Sequence, residues 1–199
     1  RIYNAADGNE GIKMAFDHIP DLILCDIVIP NKDGYQVCSA LKTDIRTSHI
    51  PLVLLTARGS TEHQIAGVKS MADYYIIKPF NVRFLDEIIR NLLKSREMLR
   101  EHYTSAYPVE IKRDSPGKLD KRFLNEFTSM IEQNISNEQL NISDICKHIG
   151  ISRVQLYRKV KALLGCSVND YILNVRLRKA KYLLFNEDLT VAEVAYRVG

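Results

Sequence analysis

An aspartate, a threonine and a lysine each follow a short apolar run. Asp26 closes Leu22–Cys25, Thr56 closes Val53–Leu55 and Lys78 closes Tyr74–Ile77. If the three runs are neighbouring strands, these side chains meet at one end of a sheet. There a carboxylate can act as a nucleophile, a hydroxyl can donate to an anionic oxygen, and an ammonium can neutralise charge. Such a set suits a phosphoryl acceptor. Behind Asp26 stand Pro30 and the pair Asp33-Gly34, residue types that stiffen a turn.

A second set is basic. Residues 1–90 hold ten Lys and Arg against eleven Asp and Glu, although the whole chain of 199 residues carries +4. Between 151 and 181, Arg153, Arg158, Lys159, Lys161, Arg176, Arg178, Lys179 and Lys181 face Asp170 alone. A basic block with helical patterning suits a polyanion, and its bland alternative is a solvated helix face.

The elements that would position the first set alternate in type. Ile2–Ala5, Leu22–Cys25, Pro51–Leu55 and Tyr74–Ile77 read as strands. Amphipathic stretches lie between and after them: Ile12, Ala15 and Phe16; Val37, Ala40 and Leu41; Ile65 and Val68; then Leu85, Ile88, Ile89 and Leu92. Nearly continuous apolar strands alternating with such helices predict a parallel sheet covered on both faces. Reactive groups then gather at the carboxyl ends of its strands.

From about Lys94 the composition changes. That last helix reads on through "KSREMLREHY", and "TSAYPVEIKRDSPGK" has the content of a connector. Beyond it the pattern is helical only. Phe123, Phe127 and Ile131 mark one helix, and breaks at Gly150, Gly165 and 186–188 separate four more. In "NISDICKHIGISRVQLYRKVKALLG", Ile142, Ile145 and Ile149 face one way with the small Cys146, Gly150 turns the chain, and Ser152 can cap the next helix. This is helix-turn-helix spacing. Leu156, Val160 and Leu163 are then expected inward, and Val154, Tyr157, Arg158 and Lys161 outward.

Cys25, Cys38, Cys146 and Cys166 have neither C-x-x-C spacing nor a grouped histidine, so reduced, packed thiols are expected. The five histidines read as surface or capping residues. No apolar run reaches membrane-spanning length and no signal peptide stands at the start, so a cytoplasmic chain without membrane contact is expected.

Residues 1–93 resemble a response-regulator receiver domain. The resemblance rests on Asp26-x-x-x-Pro30-x-x-Asp33-Gly34, on the strand end Thr56-Ala57, and on Ala72-Asp-x-Tyr75-x-x-Lys78-Pro79-Phe80, in the family's order and spacing. It implies an α/β flavodoxin-like fold and a phosphoryl group taken by Asp26 from a histidine kinase domain in the same or a separate chain. By that resemblance Thr56 and Lys78 bind the phosphoryl group, Ala57 leaves room for it, and Tyr75 is the aromatic switch. Asp26 and the Val28 carbonyl would be ligands of Mg²⁺, and the Lys78-Pro79 bond would be cis. The family's first strand and helix, with an acidic metal-binding pair, are expected to be missing from this stretch, the strand lying between Ile2–Ala5 and Leu22–Cys25.

Residues 119–199 resemble the AraC/XylS-type DNA-binding domain, on Gly165, Tyr171-Ile172, Arg176-Leu177, Ala180, Leu183-Leu184, Val194-Ala195 and Val198-Gly199. That family joins two helix-turn-helix units by a long helix, here about Val168–Phe185, and the second unit is expected to be incomplete. The resemblance implies promoter DNA as partner, with Val154, Tyr157 and Arg158 as base readers and Arg153 and Lys161 on phosphates. Residues 94–118 would be helix extension and linker.

The reading is a non-enzymatic, phosphorylation-regulated transcription factor of a two-component system, dimeric when active. The pairing also resembles the C-terminal part of hybrid two-component sensors, whose parent chain would add a kinase and an inner-membrane anchor. Two rivals stand beside it: a phosphate-receiving interaction module without DNA binding, and a flavodoxin-like nucleotide-binding enzyme, which lacks here a glycine-rich phosphate loop.

Overall fold

The computed structural model describes residues 1–57, 71–105, 117–137 and 140–199, with the backbone alone at 96 and 98–105. The stretch with Ile65 and Val68, the side chain of Leu99 and most of the connector lie outside the described residues. The chain divides into two compact units, Arg1–Asp120 and Lys121–Gly199.

The first unit runs α1 (Gly8–His18), β1 (Ile23–Asp26), α2 (Gly34–Thr43), β2 (Leu52–Ala57), β3 (Tyr74–Lys78) and α3 (Val82–Ser105), numbered over the described residues. The strands form a parallel sheet in the order β1-β2-β3. On one face Ile23, Cys25, Leu52 and Leu54 meet Ala15 of α1 and Val37, Cys38 and Leu41 of α2. On the other face Val53, Leu55 and Ile76 meet Leu85, Ile88 and Leu92 of α3. Val53 and Leu54 are fully buried, each burial favourable by about 1.5–3 kcal/mol. Two-sided burial accounts for the unbroken apolar run of the central strand β2, whereas Leu24 of β1 and Tyr74 and Ile77 of β3 stay exposed. The described residues thus form the expected α/β arrangement, a parallel sheet with helices on both faces.

Ile2–Ala5 is not a strand. Those residues wall one side of a cavity of about 480 Å³, with Leu22–Cys25 of the β1 region on the other. A ladder needs strands roughly 4.8 Å apart, and this segment, across the cavity from β1, forms none. Ile2 is consequently 88% exposed. His49, expected at the surface, is buried beside Ile50 and Leu52. The four thiols are free, and three of them are buried.

The second unit is helical: α4 (Lys118–Gln133, entering the unit at Lys121), α5 (Ile142–Ile149), α6 (Arg153–Leu164), α7 (Val168–Asn186) and α8 (Val191–Val198). Each of the last four begins at a side-chain cap. Asn141 caps α5, and Ser152, Ser167 and Thr190 start α6, α7 and α8 with capping boxes closed by Gln155, Asp170 and Glu193. Gly150 takes φ +76° between α5 and α6, a left-handed turn that a Cβ would strain. Phe123, Phe127, Ile131, Ile145, Leu156, Val160, Leu164 and Val168 are all at or below 1% exposure and form the core of the unit. The inward position near the end of α6 is therefore Leu164, with Leu163 only half-buried, because the stripe advances by four residues from Leu156 and Val160.

Candidate phosphoacceptor site and DNA-facing helix

The sheet register decides how the three strand-end residues meet. Asp26 pairs with Leu55, Thr56 with Ile77, and Ala57 with Lys78. Side chains alternate along a strand, so Asp26, Ala57 and Lys78 stand on one face while Thr56 and Tyr75 stand on the other. β1 and β3 are two strand spacings apart, roughly 9.6 Å. The Lys78 side chain bridges that gap over the end of β2, and its ammonium donates to Asp26 Oδ2. The methyl of Ala57, in register with Lys78, leaves the crossing open.

The other carboxylate oxygen of Asp26 accepts the Val28 N–H at 3.3 Å. Burial pushes the Asp26 carboxyl up, but the Lys78 hydrogen bond, the Val28 N–H, the Lys78 charge and the Ile27 N–H together hold it below the ordinary carboxylate range. The group is thus an ionised, half-buried carboxylate at neutral pH. Its neighbour Cys25 behaves oppositely: burial first, then the charges of Asp26 and Asp33, push its thiol up to about 11. It stays protonated and does not compete as a nucleophile.

The remaining residues of the set are near but not joined to it. Thr56 donates to the Ala57 carbonyl at 3.2 Å. Tyr75 is half-buried against the α1–α2 side of the sheet beside Tyr35, whose hydroxyl is pushed up by burial, by Tyr75 and by Asp33. Lys78-Pro79 is cis.

Mg²⁺ is a separate matter. Among the described residues no three His, Cys, Asp or Glu lie close enough to hold a metal ion. One Asp26 carboxylate, already bound by Lys78 and Val28, does not supply the near-octahedral oxygen shell that this cation demands. The described residues do not by themselves fit a magnesium site.

On α6 of the second unit, Arg153, Val154, Arg158 and Lys161 are exposed and Tyr157 is half-buried. The Arg153 guanidinium lies 5.6 Å from the centre of the Tyr157 ring and donates to its hydroxyl at 3.5 Å. Lys161 donates to the Gly165 carbonyl at 2.7 Å, closing the end of α6. The basic block is less uniform than its sequence suggests. Lys159 is 1% exposed with its ammonium 5.1 Å from the centre of the Phe123 ring, so it is no part of a DNA-facing surface. Its place three residues after the buried Leu156 was the available signal. Arg176 donates to the Asn137 carbonyl at 2.6 Å. Lys179 and Lys181 lie over the rings of Tyr182 and Phe185 on α7.

The response regulator receiver domain family matches residues 1–90, and a helix-turn-helix domain family matches residues 145–199. Residues 1–90 are thus receiver-like, and residues 145–199 within the second unit carry AraC-type helix-turn-helix sequence. The chain is 34% identical over its whole length to histidine kinase P4 of Formosa agariphila, of which it spans 14%. It is 40% identical over 106 residues to the transcriptional regulatory protein AfsQ1 of Streptomyces coelicolor, covering 53% of this chain and 45% of that one. The chain therefore spans less than half the length of either relative. Among solved structures, a CheY-like response regulator receiver domain protein from Methanospirillum hungatei overlaps 47% of this chain and 74% of its own, at 29% identity and a TM-score of 0.43. The receiver domain of sensor histidine kinase PA1611 from Pseudomonas aeruginosa, with magnesium coordinated in its active-site cleft, overlaps 47% of this chain and 77% of its own, at 24% identity and a TM-score of 0.45. Among the described residues no helix is long and apolar enough to cross a membrane.

Proposed function

We propose that this chain is the output part of a two-component system: Asp26 accepts a phosphoryl group and the helix-turn-helix domain binds promoter DNA in response. The observation that carries the reading is the ionised Asp26 carboxylate held by Lys78 at the strand ends, on a chain that also bears a helix-turn-helix. In the transfer, an Asp26 oxygen forms a bond to phosphorus as the bond from phosphorus to the donor imidazole nitrogen breaks, and that nitrogen leaves with the electron pair. Lys78 then offsets the added negative charge. Thr56 stands at the end of the strand between β1 and β3, with its side chain on the opposite face from Asp26. It would have to leave the Ala57 carbonyl and turn over the strand end to donate to a phosphoryl oxygen. The donor is a histidine kinase domain, on the same or another chain. Receiver domains as a class bind Mg²⁺, and this stretch would contribute Asp26 and the Val28 carbonyl to it.

On the DNA side, Val154, Tyr157 and Arg158 read base edges while Arg153 and Lys161 sit on phosphates. The stacking of Arg153 on Tyr157 supports this, because a pre-ordered guanidinium loses less freedom on binding. Two copies on a two-part site would give the dimer.

The reading is tested in the full-length protein by exposing it to a phosphorylated kinase domain, mapping a hydroxylamine-labile label to residue 26, and measuring promoter binding before and after. Arg158→Ala should weaken cognate binding by about 1–3 kcal/mol and relax preference at one base pair. Lys161→Ala should weaken binding to all sequences alike and lower the salt slope by roughly one. If a mobility-shift titration at low salt finds both variants binding like the parent on cognate and random DNA, α6 is not the reading helix and the interaction-module reading takes its place.

A further inference from the structure

We propose that Asp7 is a positioning residue for the acceptor carboxylate, acting through Asn31 to fix the loop between β1 and α2. The proposal rests on Asp26 being the acceptor. The two oxygens of Asp7 have separate tasks. Oδ1 caps α1, accepting the N–H groups of Asn9 and Glu10 at 2.8 and 2.9 Å. Oδ2 reaches outside its own helix and accepts from Asn31 Nδ2 at 2.8 Å. An N-cap needs only the first.

Asn31 is the tip of the loop that follows Asp26, and it stands at φ +67°, a left-handed conformation that asparagine tolerates. Beside it, the Pro30 carbonyl accepts the Gly8 N–H at 3.3 Å and the Lys32 N–H at 2.8 Å. A Cβ on Gly8 would stand 2.3 Å from the Lys32 carbonyl oxygen, so the start of α1 is pressed against this tip. At the base of the loop, Gly34 N–H donates to the Ile27 carbonyl and Ile27 N–H to the Leu55 carbonyl, each at 3.0 Å. A Cβ on Gly34 would lie 2.5 Å from the Asp26 carbonyl oxygen.

Tip and base are thus both held, and only Val28 and Ile29 span between them. Val28 donates to Asp26 Oδ1 at 3.3 Å, already long for an N–H···O bond. A small drift of the tip breaks it. Releasing Asn31 from Asp7 therefore lets the carboxylate rotate about its Lys78 contact, away from the orientation in which its second oxygen is presented. Misplacement of a reacting group by about 1 Å can cost a hundredfold in rate, so a partial loss on the order of tenfold is expected.

Three variants separate positioning from helix capping. Asp7→Ser keeps a cap but lacks the second oxygen for Asn31. Asn31→Gly keeps the left-handed backbone and loses the amide. Asp7→Asn keeps both, since the Asn31 amide can turn its oxygen toward the new donor. The experiment measures, in the full-length protein with acetyl phosphate, the first-order rate constant and half-saturation of Asp26 phosphorylation, together with the thermal midpoint. Asp7→Ser and Asn31→Gly should each lower the rate constant about tenfold with half-saturation unchanged. The double variant should be no slower than either single one, and Asp7→Asn should stay within about twofold of the parent. Losses that multiply in the double variant, parental rates in both singles, or a rate loss in Asp7→Asn equal to that of Asp7→Ser would overturn the proposal. An Asp26→Asn control keeps the two levels apart: a label that persists in it refutes the acceptor assignment itself, whereas Asp26 labelling at parental rates in both singles refutes positioning alone.

Discussion

Asp26→Asn is expected to abolish phosphoryl incorporation while leaving the first unit folded. The amide has nearly the shape of the carboxylate, and its single oxygen can keep one of the two donors, Val28 or Lys78, which bind different oxygens of Asp26. It carries no negative charge, so it is a far poorer nucleophile toward phosphorus. Among the described residues nothing nearby replaces it, since Cys25 is protonated and buried and Asp33 is occupied as the cap of α2. The stability effect should be small and pH-dependent, because Lys78 is 41% exposed at its side chain and stays hydrated when its partner is lost. Its sign follows from Asp26 being held below the ordinary carboxylate range. The contribution is present above the unfolded-state value and fades as pH falls through the folded one. Parent and variant should therefore converge in stability on acidification below about pH 4. Radiolabelled acetyl phosphate followed by peptide mapping reads the first effect, and unfolding at several pH values reads the second. Label retained at parental level in the variant would move the acceptor elsewhere.

Phe127→Ala is expected to be the most damaging single truncation in the second unit. The ring is fully buried, with its centre 5.8 Å from that of Phe123 and 5.5 Å from that of Tyr171. Tyr171 also shares a hydrogen bond of 2.9 Å with Thr128. Removing the ring takes the central member from a three-ring stack that joins α4 to α7, and cavities of that kind cost about 3–5 kcal/mol. Much of a small domain's total stability is of that size. DNA affinity should fall with it, for sequences of every kind, since the whole unit and not one contact is lost. Guanidinium unfolding followed by circular dichroism gives the magnitude. A shift below about 1 kcal/mol would mean the stack is not the keystone of this core.

The legible part of the chain is the part governed by neighbours in sequence. Leu22–Cys25, Pro51–Leu55 and Tyr74–Ile77 announce β1, β2 and β3, because short apolar runs rich in β-branched, aromatic and leucine residues suit a packed sheet even where, as at Leu24 and Ile77, one side chain stays exposed. Ser152 and Gly150 announce the start of α6 and the turn before it, because capping and left-handed turns depend on residues within one helical turn. Ile2–Ala5 misled for the complementary reason. Its composition is that of a strand, yet a strand is made by the chain beside it, and across from β1 lies a cavity. Lys159 misled in the same way: a lysine beside the buried stripe of α6 can bury its stem when a ring such as Phe123 receives its charge.

By itself the sequence determined which residues could do chemistry and on which elements they stand: Asp26, Thr56 and Lys78 at strand ends, and Arg153 to Lys161 on one amphipathic helix. Hydrophobic periodicity, caps and turn residues are local, and they survive reading in one dimension. Tertiary structure alone decided the partners. The parallel register placed Ala57 beside Lys78 and so opened the lysine's path to Asp26. Folding brought Asn31 to Asp7, 24 positions away, and joined a plain helix cap to the loop that follows Asp26. It also divided the basic block into side chains that face solvent, such as Arg158, and others spent inside the fold, such as Lys159. Such pairings depend on distances across the sheet and between helices, which spacing along the chain does not record.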